Sequence, residues 1–262
     1  MARPCPADDV VLAQRLADAA GAAIRPHFRT PIPVDAKADE SPVTAADREA
    51  ELAMRALIEA ERPSHGVQGE EFGISNPGAE WRWILDPVDG TKSFISGSPL
   101  FGTLIGLVRG AEAALGLLDQ PILGERWLAH GDAPTTLNGR AVRVRPCASL
   151  AAATVYTSGL EYWRGVGRGP FDRLYAACRL MRFSADCYAA GLLACGFVDL
   201  LVEPDMHPHD YAALVPIVEN AGGIATDFAG RPLDFTSRTG VICAGDARAH
   251  AETVRLLGAT AA

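Results

Sequence analysis

Apolar residues return every fourth position near the start of the chain, at Leu12, Leu16, Ala20, Ile24 and Phe28. That spacing keeps one face apolar and predicts an amphipathic helix over 9–28, ended in the region of Pro31 and Pro33. A polar loop with Lys37, Asp39 and Glu40 comes next. Thr44 is a good N-cap, and Asp47 three residues on completes something like a capping box, so a second helix is expected to about Ala60. Ala50, Ala53, Met54, Leu57 and Ile58 make its apolar face, and Arg62-Pro63 stops it. Then the period shortens. Gly66-Val67-Gln68 reads as a strand ending in the acidic pair Glu70-Glu71, and a strand from Trp81 precedes strand-like runs over 103–108, 113–118 and 125–128, broken by Gly110 and Pro121. Asn138-Gly139 is a hairpin signal with 141–144 as the return strand. The first half therefore predicts an antiparallel sheet covered by two helices.

From about Pro146 the pattern alternates. Strands are expected over 153–156, 198–202, 224–226 and 241–244, and helices over 171–178, 187–195, 211–220 and 247–257. Pro216 should kink the third of these helices, and Gly222-Gly223 ends it. This alternation implies a second, α/β layer, and the chain divides into an α+β part over 1–147 and an α/β part over 148–262. No internal repeat or long linker separates them.

With 262 residues, 48% of them hydrophobic, the chain can bury a full core. Its formal charge of −8 argues against a nucleic-acid backbone or an anionic membrane as partner, since both need concentrated Lys and Arg. A small ligand, cationic in part, fits better. No basic segment leads into an apolar signal-like stretch, and no apolar run approaches the roughly 18 residues needed to span a bilayer, which predicts a cytoplasmic location. The six cysteines are scattered without a Cys-x-x-Cys pair and read as reduced, mostly buried small hydrophobes.

The densest chemistry lies in WRWILDPVDGTKSFISGSPLFGTLIGL, from Trp81 to Leu107. The pattern predicts a strand end feeding a tight turn, with Asp86 and Asp89 around Pro87 and then Gly90 and Thr91. Gly90 lacks the Cβ that would block a ligand, so the amides of Gly90 and Thr91 can face an anion. Carboxylates and phosphate-seeking amides in one loop suggest a metal-bridged phosphate site, although a solvated acidic turn would use the same residues. Each further acid has its own plain reading. Asp47 serves as a first-turn helix acid, Glu70-Glu71 as a solvated surface, and Asp210 as an N-cap worth about 1 kcal/mol. His207 and His209 suggest zinc, but no third nitrogen or sulfur ligand has suitable spacing, so they default to loop histidines.

The combination is more specific than its parts. Ser41-Pro42-Val43-Thr44-x-x-Asp47 after Lys37, then Gly-Glu-Glu, strand-Asp-Pro-x-Asp-Gly-Thr, and an Asp starting a helix that closes in Ala-Gly-Gly together resemble the inositol monophosphatase superfamily of magnesium-dependent phosphatases. Within it the chain is most similar to the histidinol-phosphate phosphatase branch, by DPVDGTKSFISGSPLFGTLIGL, by Arg182 to Tyr188, and by Asp210 to Pro216. Two departures stand out. Residue 209 is His where Trp or Tyr is usual, and Ser184-Ala185 replaces the more usual glycines.

The resemblance implies a layered αβαβα sandwich and a phosphate-monoester hydrolase using two or three Mg2+ ions, for which Mn2+ can substitute. Asp86 would bridge two ions, with Glu70 and the Val88 carbonyl on the first and Asp89 and Asp210 on the second. Metal-bound water would attack phosphorus in line, its proton drawn by Thr91 with Asp47 or by Glu70, while the Gly90 and Thr91 amides hold the phosphate. Asp186 and Glu203 would contact the rest of the substrate, with helix capping and a solvated strand end as their plain readings. Histidinol phosphate in histidine biosynthesis is the implied substrate, with inositol or another sugar phosphate as the alternative. A homodimer is implied too, with the strands near 115–118 close to its interface.

Overall fold

The computed structural model describes residues 5–31, 33–36 and 42–258, so the expectations on Lys37, Asp39, Glu40 and Ser41 lie outside the described residues. The fourfold apolar stripe forms α1 (Ala7–Ile24), burying Leu12, Leu16, Ala20 and Ile24. A 3-10 turn over Arg25–His27 replaces its expected last turn, and Phe28 packs instead against Phe94 and Phe101. Next, β1 (Asp35–Ala36) pairs antiparallel with β2 (Pro42–Val43). Thr44 then caps α2 (Ala45–Glu61): its hydroxyl accepts from the Ala46 amide, while its own amide donates to Asp47 at 2.9 Å.

The first sheet is built from β3 (Gly66–Gly69), β4 (Gly73–Ser75), β5 (Trp81–Asp89), β6 (Gly102–Arg109), β7 (Glu112–Gln120), β8 (Glu125–His130), β9 (Thr136–Leu137) and β10 (Arg140–Ala141), with the short helix α3 (Thr91–Ile95) after β5. Its order is β10-β9-β8-β7-β6-β5-β3-β4. All pairings are antiparallel except β3 with β5. The hairpin at Asn138-Gly139 forms, but its return strand stops at Ala141. The Val144 amide donates to the Ala221 carbonyl instead of extending the ladder.

The second sheet takes β11 (Thr154–Thr157), then after α4 (Arg168–Ala177) β12 (Leu180–Phe183), and after α5 (Asp186–Ala194) β13 (Leu200–Met206). Following α6 (Pro208–Tyr211) and α7 (Leu214–Asn220) come β14 (Ile224–Asp227), β15 (Thr239–Ala244) and the final α8 (Ala247–Gly258). The order is β12-β11-β13-β15-β14, with the first three strands parallel. The edge strand β12 is not among the expected strands, because its residues are mostly exposed and show no apolar alternation.

One predicted helix proves to be two. Pro216 lies in the first turn of α7, its ring excludes a helical carbonyl at Ala212, and the chain turns at Ala212-Ala213. Gly116 of β7 receives that turn: a Cβ there would stand 2.0 Å from the Ala213 carbonyl oxygen.

Five layers result. The helices α1 and α2 cover one face of the first sheet, α5, α6 and α7 fill the space between the sheets, and α4 and α8 cover the far face of the second. This is the αβαβα sandwich expected. Leu115, Leu117 and Leu118 are wholly buried by these layers, so these side chains themselves offer no surface to a second copy. All six cysteines are free, three of them buried, and among the described residues no helix is long and apolar enough to cross a membrane.

Candidate metal and phosphate site

Asp86 and Asp89 stand three apart on one strand, and in an unbroken strand they would face opposite sides of the sheet. Across from them on β6 the register runs from Leu104 to Gly102, so three steps on β5 match two on its neighbour. This is a β-bulge, and the extra residue turns both carboxylates to the same side. The expected strand end and tight turn are therefore a bulged continuation of β5. Pro87 fits there because a bulge needs no ladder N–H. Its carbonyl is held by the Thr103 hydroxyl at 2.8 Å, and the Val88 amide donates to Asp86 Oδ1 at 3.1 Å.

Glu70 comes directly after β3, where its amide donates to the Leu85 carbonyl at 3.2 Å. The turn after it is organised by Glu51 of α2, fully buried, which accepts from the Glu71 and Phe72 amides and from Arg55. Glycine is required at 69 because a Cβ there would lie 1.9 Å from that carboxylate. Asp210 arrives from the other side at the third position of α6. Its Oδ2 accepts the His207 amide at 2.7 Å, so it is the third-position acid of a capping box whose N-cap is His207, not the N-cap itself, and Oδ1 stays 3.3 Å from His209 Nε2. Among the described residues two groups have ligand atoms within 4.8 Å of one another: Asp86, Asp89 and Asp210, and Glu70, Asp86 and His209.

The electrostatics bear on what this cluster can hold. Burial, then repulsion from Glu70, Asp89 and Asp210, pushes the Asp86 carboxyl well above its ordinary range. Burial and the charges of Asp186 and Asp210 do the same to Asp89, and burial raises Asp210 despite His209. Carboxylates that oppose one another's ionisation are stabilised together by cations, and hard oxygen donors suit Mg2+ or Mn2+. The donor set thus fits divalent ions.

Beside the cluster, Gly90 adopts φ +93°, and a Cβ there would meet Asp186 Oδ2 at 2.8 Å. Thr91 opens α3, its Oγ1 lying 3.1 Å from the Val88 carbonyl and 3.4 Å from Asp47 Oδ1. The other Asp47 oxygen serves the capping box, with the Thr44 hydroxyl at 2.6 Å. Asp47 therefore has both its helix role and a contact to Thr91.

Across a cleft of about 400 Å³ stand Asp186 and Glu203. Asp186 does not cap α5. It sits at the head of the helix with φ +44°, and its carboxylate accepts from Ser93 at 3.3 Å and Ser158 at 3.1 Å. Ser184, where glycine is more usual, takes φ +58°. Nor is Glu203 a solvated strand end: it is 6% exposed within β13, with Oε1 3.0 Å from Ser158 Oγ. Burial above all lifts its carboxyl to about 8. The Cys187 amide ties the two sides of the cleft together by donating to Asp89 Oδ2.

Sequence reasoning missed Ser158, Ser93, Cys187 and Lys92. Lys92 lines the cleft, 3.0 Å from Glu161 Oε1 and 4.6 Å above the Tyr162 ring. Its place directly after Gly90-Thr91 was the available signal. The serines carried none, since a lone serine is uninformative until the fold sets it between two acids.

A fold of this layering, with buried acids and a bulged Asp-Pro-x-Asp strand at the junction of its sheets, defines a metal-dependent phosphatase, and the chain belongs to the inositol monophosphatase family, whose profile matches residues 7–260. Among its relatives it is 41% identical over 251 residues to the chloroplastic bifunctional phosphatase IMPL2 of Arabidopsis thaliana, covering 92% of this chain and 72% of that one. With the histidinol-phosphatase of Chlorobaculum parvum it shares 40% identity, over 85% of this chain and 87% of the relative. The solved inositol monophosphatase of Zymomonas mobilis superposes with a TM-score of 0.89 at 45% identity, covering 98% of this chain and all of that one.

Proposed function

We propose that the chain hydrolyses L-histidinol phosphate to L-histidinol and phosphate, with Asp86, Glu70, the Val88 carbonyl, Asp89 and Asp210 holding two or three Mg2+ ions, or Mn2+ in their place. The observation that carries the substrate assignment is the pair Asp186 and Glu203, two acids outside the metal cluster that share Ser158 inside the cleft. Histidinol phosphate offers an ammonium and an imidazole, both suited to such a pair, whereas an uncharged polyol needs hydroxyl-matching groups. The histidinol-phosphatases among the relatives support the same reading.

Bound divalent ions would neutralise the carboxylates, polarise the phosphoryl oxygens and lower the pKa of water. The chain's own groups do the rest. The Gly90 and Thr91 amides orient the phosphate. Thr91 Oγ1 hands its proton toward Asp47 and accepts one from the attacking water, or Glu70 takes that proton directly. A P–O bond forms from water as the bond to the substrate alcohol breaks, and the alcohol oxygen is protonated from solvent. Positioning and electrostatics carry such a reaction, and no phosphoenzyme is required. A cytoplasmic homodimer serving histidine biosynthesis is the setting this reading implies, and sedimentation at micromolar concentration tests the dimer.

The similarity to the Zymomonas mobilis inositol monophosphatase and to the bifunctional relative supports inositol phosphate as the second reading. Phosphate release from L-histidinol phosphate, inositol 1-phosphate, fructose 1,6-bisphosphate and a 3′-phosphonucleotide, with and without Mg2+, tests both. A higher kcat/KM on inositol 1-phosphate than on histidinol phosphate would reverse the assignment.

A further inference from the structure

His209 brings a nitrogen into a cluster otherwise built of oxygen. Its side chain is mostly buried, and a ring nitrogen falls within 4.8 Å of the ligand oxygens of Glu70 and Asp86. The spacing of histidines along the chain does not by itself support zinc, and among the described residues no third nitrogen or sulfur joins the cluster. The fold supplies two carboxylates instead, one from the end of β3 and one from β5, and imidazole nitrogen and carboxylate oxygen are both ligands that zinc accepts. The ring is also held in position. His207 lies parallel to it, with centroids 5.2 Å apart and planes 6° apart, and the His207 amide is tied to Asp210. The stacking fixes the plane of the His209 ring as it faces the carboxylates.

We propose that His209 is a nitrogen ligand to the ion held by Glu70 and Asp86, and that it biases this position toward a first-row transition ion, Mn2+ or Zn2+, over Mg2+. The proposal rests on the reading of Glu70 and Asp86 as metal ligands. Mg2+ favours oxygen and gains little from imidazole, while Zn2+ and its transition-row neighbours accept it readily. The expected consequence is a change in selectivity, with metal binding retained when the imidazole is removed.

The test is made on full-length protein stripped with chelator and reloaded with Mn2+ alone. Electron spin echo modulation should show 14N coupling from a directly bound imidazole, lost in His209→Phe and kept in His207→Phe. In competition titrations read by calorimetry, His209→Phe should lower the preference for Zn2+ over Mg2+ by at least about tenfold, the scale seen when even an outer partner of a metal ligand is removed. Mn2+ that binds wild type without 14N coupling overturns the His209 assignment and leaves the carboxylate site standing. Failure of Mn2+ to bind at all overturns both. The wild-type spectrum alone can overturn the proposal, whatever the folding of the variants, and the two variants assign the coupling to one of the stacked rings.

Discussion

Two strands facing the same cleft use the same backbone device in different surroundings. In β5, Asp86-Pro87-Val88-Asp89 spans three steps against two on β6, and in β13, Glu203-Pro204-Asp205-Met206 spans three against the two from Val241 to Thr239 on β15. Each bulge begins with a buried acid before a proline. They differ in how they close. The first ends on a second carboxylate, Asp89, and meets Glu70 and Asp210, so charge accumulates until divalent ions are the fitting partners. The second ends on Met206, and its intervening acid, Asp205, pairs with Arg238. Glu203 has a neutral hydroxyl in contact and the charges of Asp186 and Asp210 facing it, which on the proposed reading is a setting for one organic cation. The bulge sets where a carboxylate points, and the number of its neighbours decides what it holds.

The largest effect should come from the first bulge. Asp86→Asn removes the only residue common to both groups of ligand atoms, and phosphate release should fall by at least about 10³-fold, as expected when several kcal/mol of transition-state stabilisation is withdrawn. The metal-free variant should nonetheless melt above metal-free wild type at neutral pH, because folding no longer has to keep a proton on a buried carboxyl that the unfolded chain would release. A lower melting temperature in chelator would mean that Asp86 is structural. Next in size, Thr91→Ala should reduce kcat by about 10² to 10⁴ with a smaller effect on KM, the usual range for lost acid–base assistance. An unchanged kcat would assign the proton to Glu70 alone.

How much of the molecule is legible in the sequence divides along the same line. The first bulge is written locally: Asp-Pro-x-Asp-Gly-Thr places acids, proline and glycine within six positions, and Glu70 and Asp210 are recognisable through their own short patterns. The second is not, although Glu203-Pro204 has the same form, because its partners Ser158 and Asp186 come from β11's end and α5 and meet only in the folded chain. His209 reads as a loop histidine for the same reason, since its neighbours in space are carboxylates from the other sheet. Long apolar elements are legible to within a few residues. The exposed strand β12 and the split between α6 and α7 are not, because one depends on pairing with β11 and the other on the fit of Ala213 against Gly116.

Of intermediate size is the effect on substrate choice. Charge-assisted hydrogen bonds that a cationic substrate donates to Asp186 or Glu203 contribute roughly 1.5 to 3 kcal/mol each, and for Glu203 the arriving cation displaces the proton that burial keeps on the carboxyl up to about pH 8. Glu203→Gln or Asp186→Asn keeps the shape and removes the charge, so KM for histidinol phosphate should rise about ten- to a hundredfold. Hydrolysis of p-nitrophenyl phosphate, which carries no cation, should hardly change. If both variants leave the ratio of the two kcat/KM values where it was, the second bulge does not read the substrate, and the inositol reading moves ahead.

The smallest effect separates the two bulges by pH. Glu203 is lifted from 4.5 to about 8, mainly by burial, with Asp186 and Asp210 facing it and the Ser158 hydroxyl working the other way. Below the lower value both folded and unfolded chains hold the proton, and the group costs nothing. As pH rises toward the upper value the unfolded chain releases its proton while the folded chain keeps it, so stability falls across that window and levels off beyond it. The acids of the first bulge, also raised, add a slope of the same sign in metal-free protein. Saturating Mg2+ or Mn2+ should remove their share, because a bound cation favours the ionised form, and leave the share of Glu203. Melting curves in excess metal should therefore still show a decline of several degrees for wild type from about pH 5 to 8, and Glu203→Gln should flatten it. Identical slopes for the two proteins in metal would place Glu203 under the influence of the ions and make the two bulges one site.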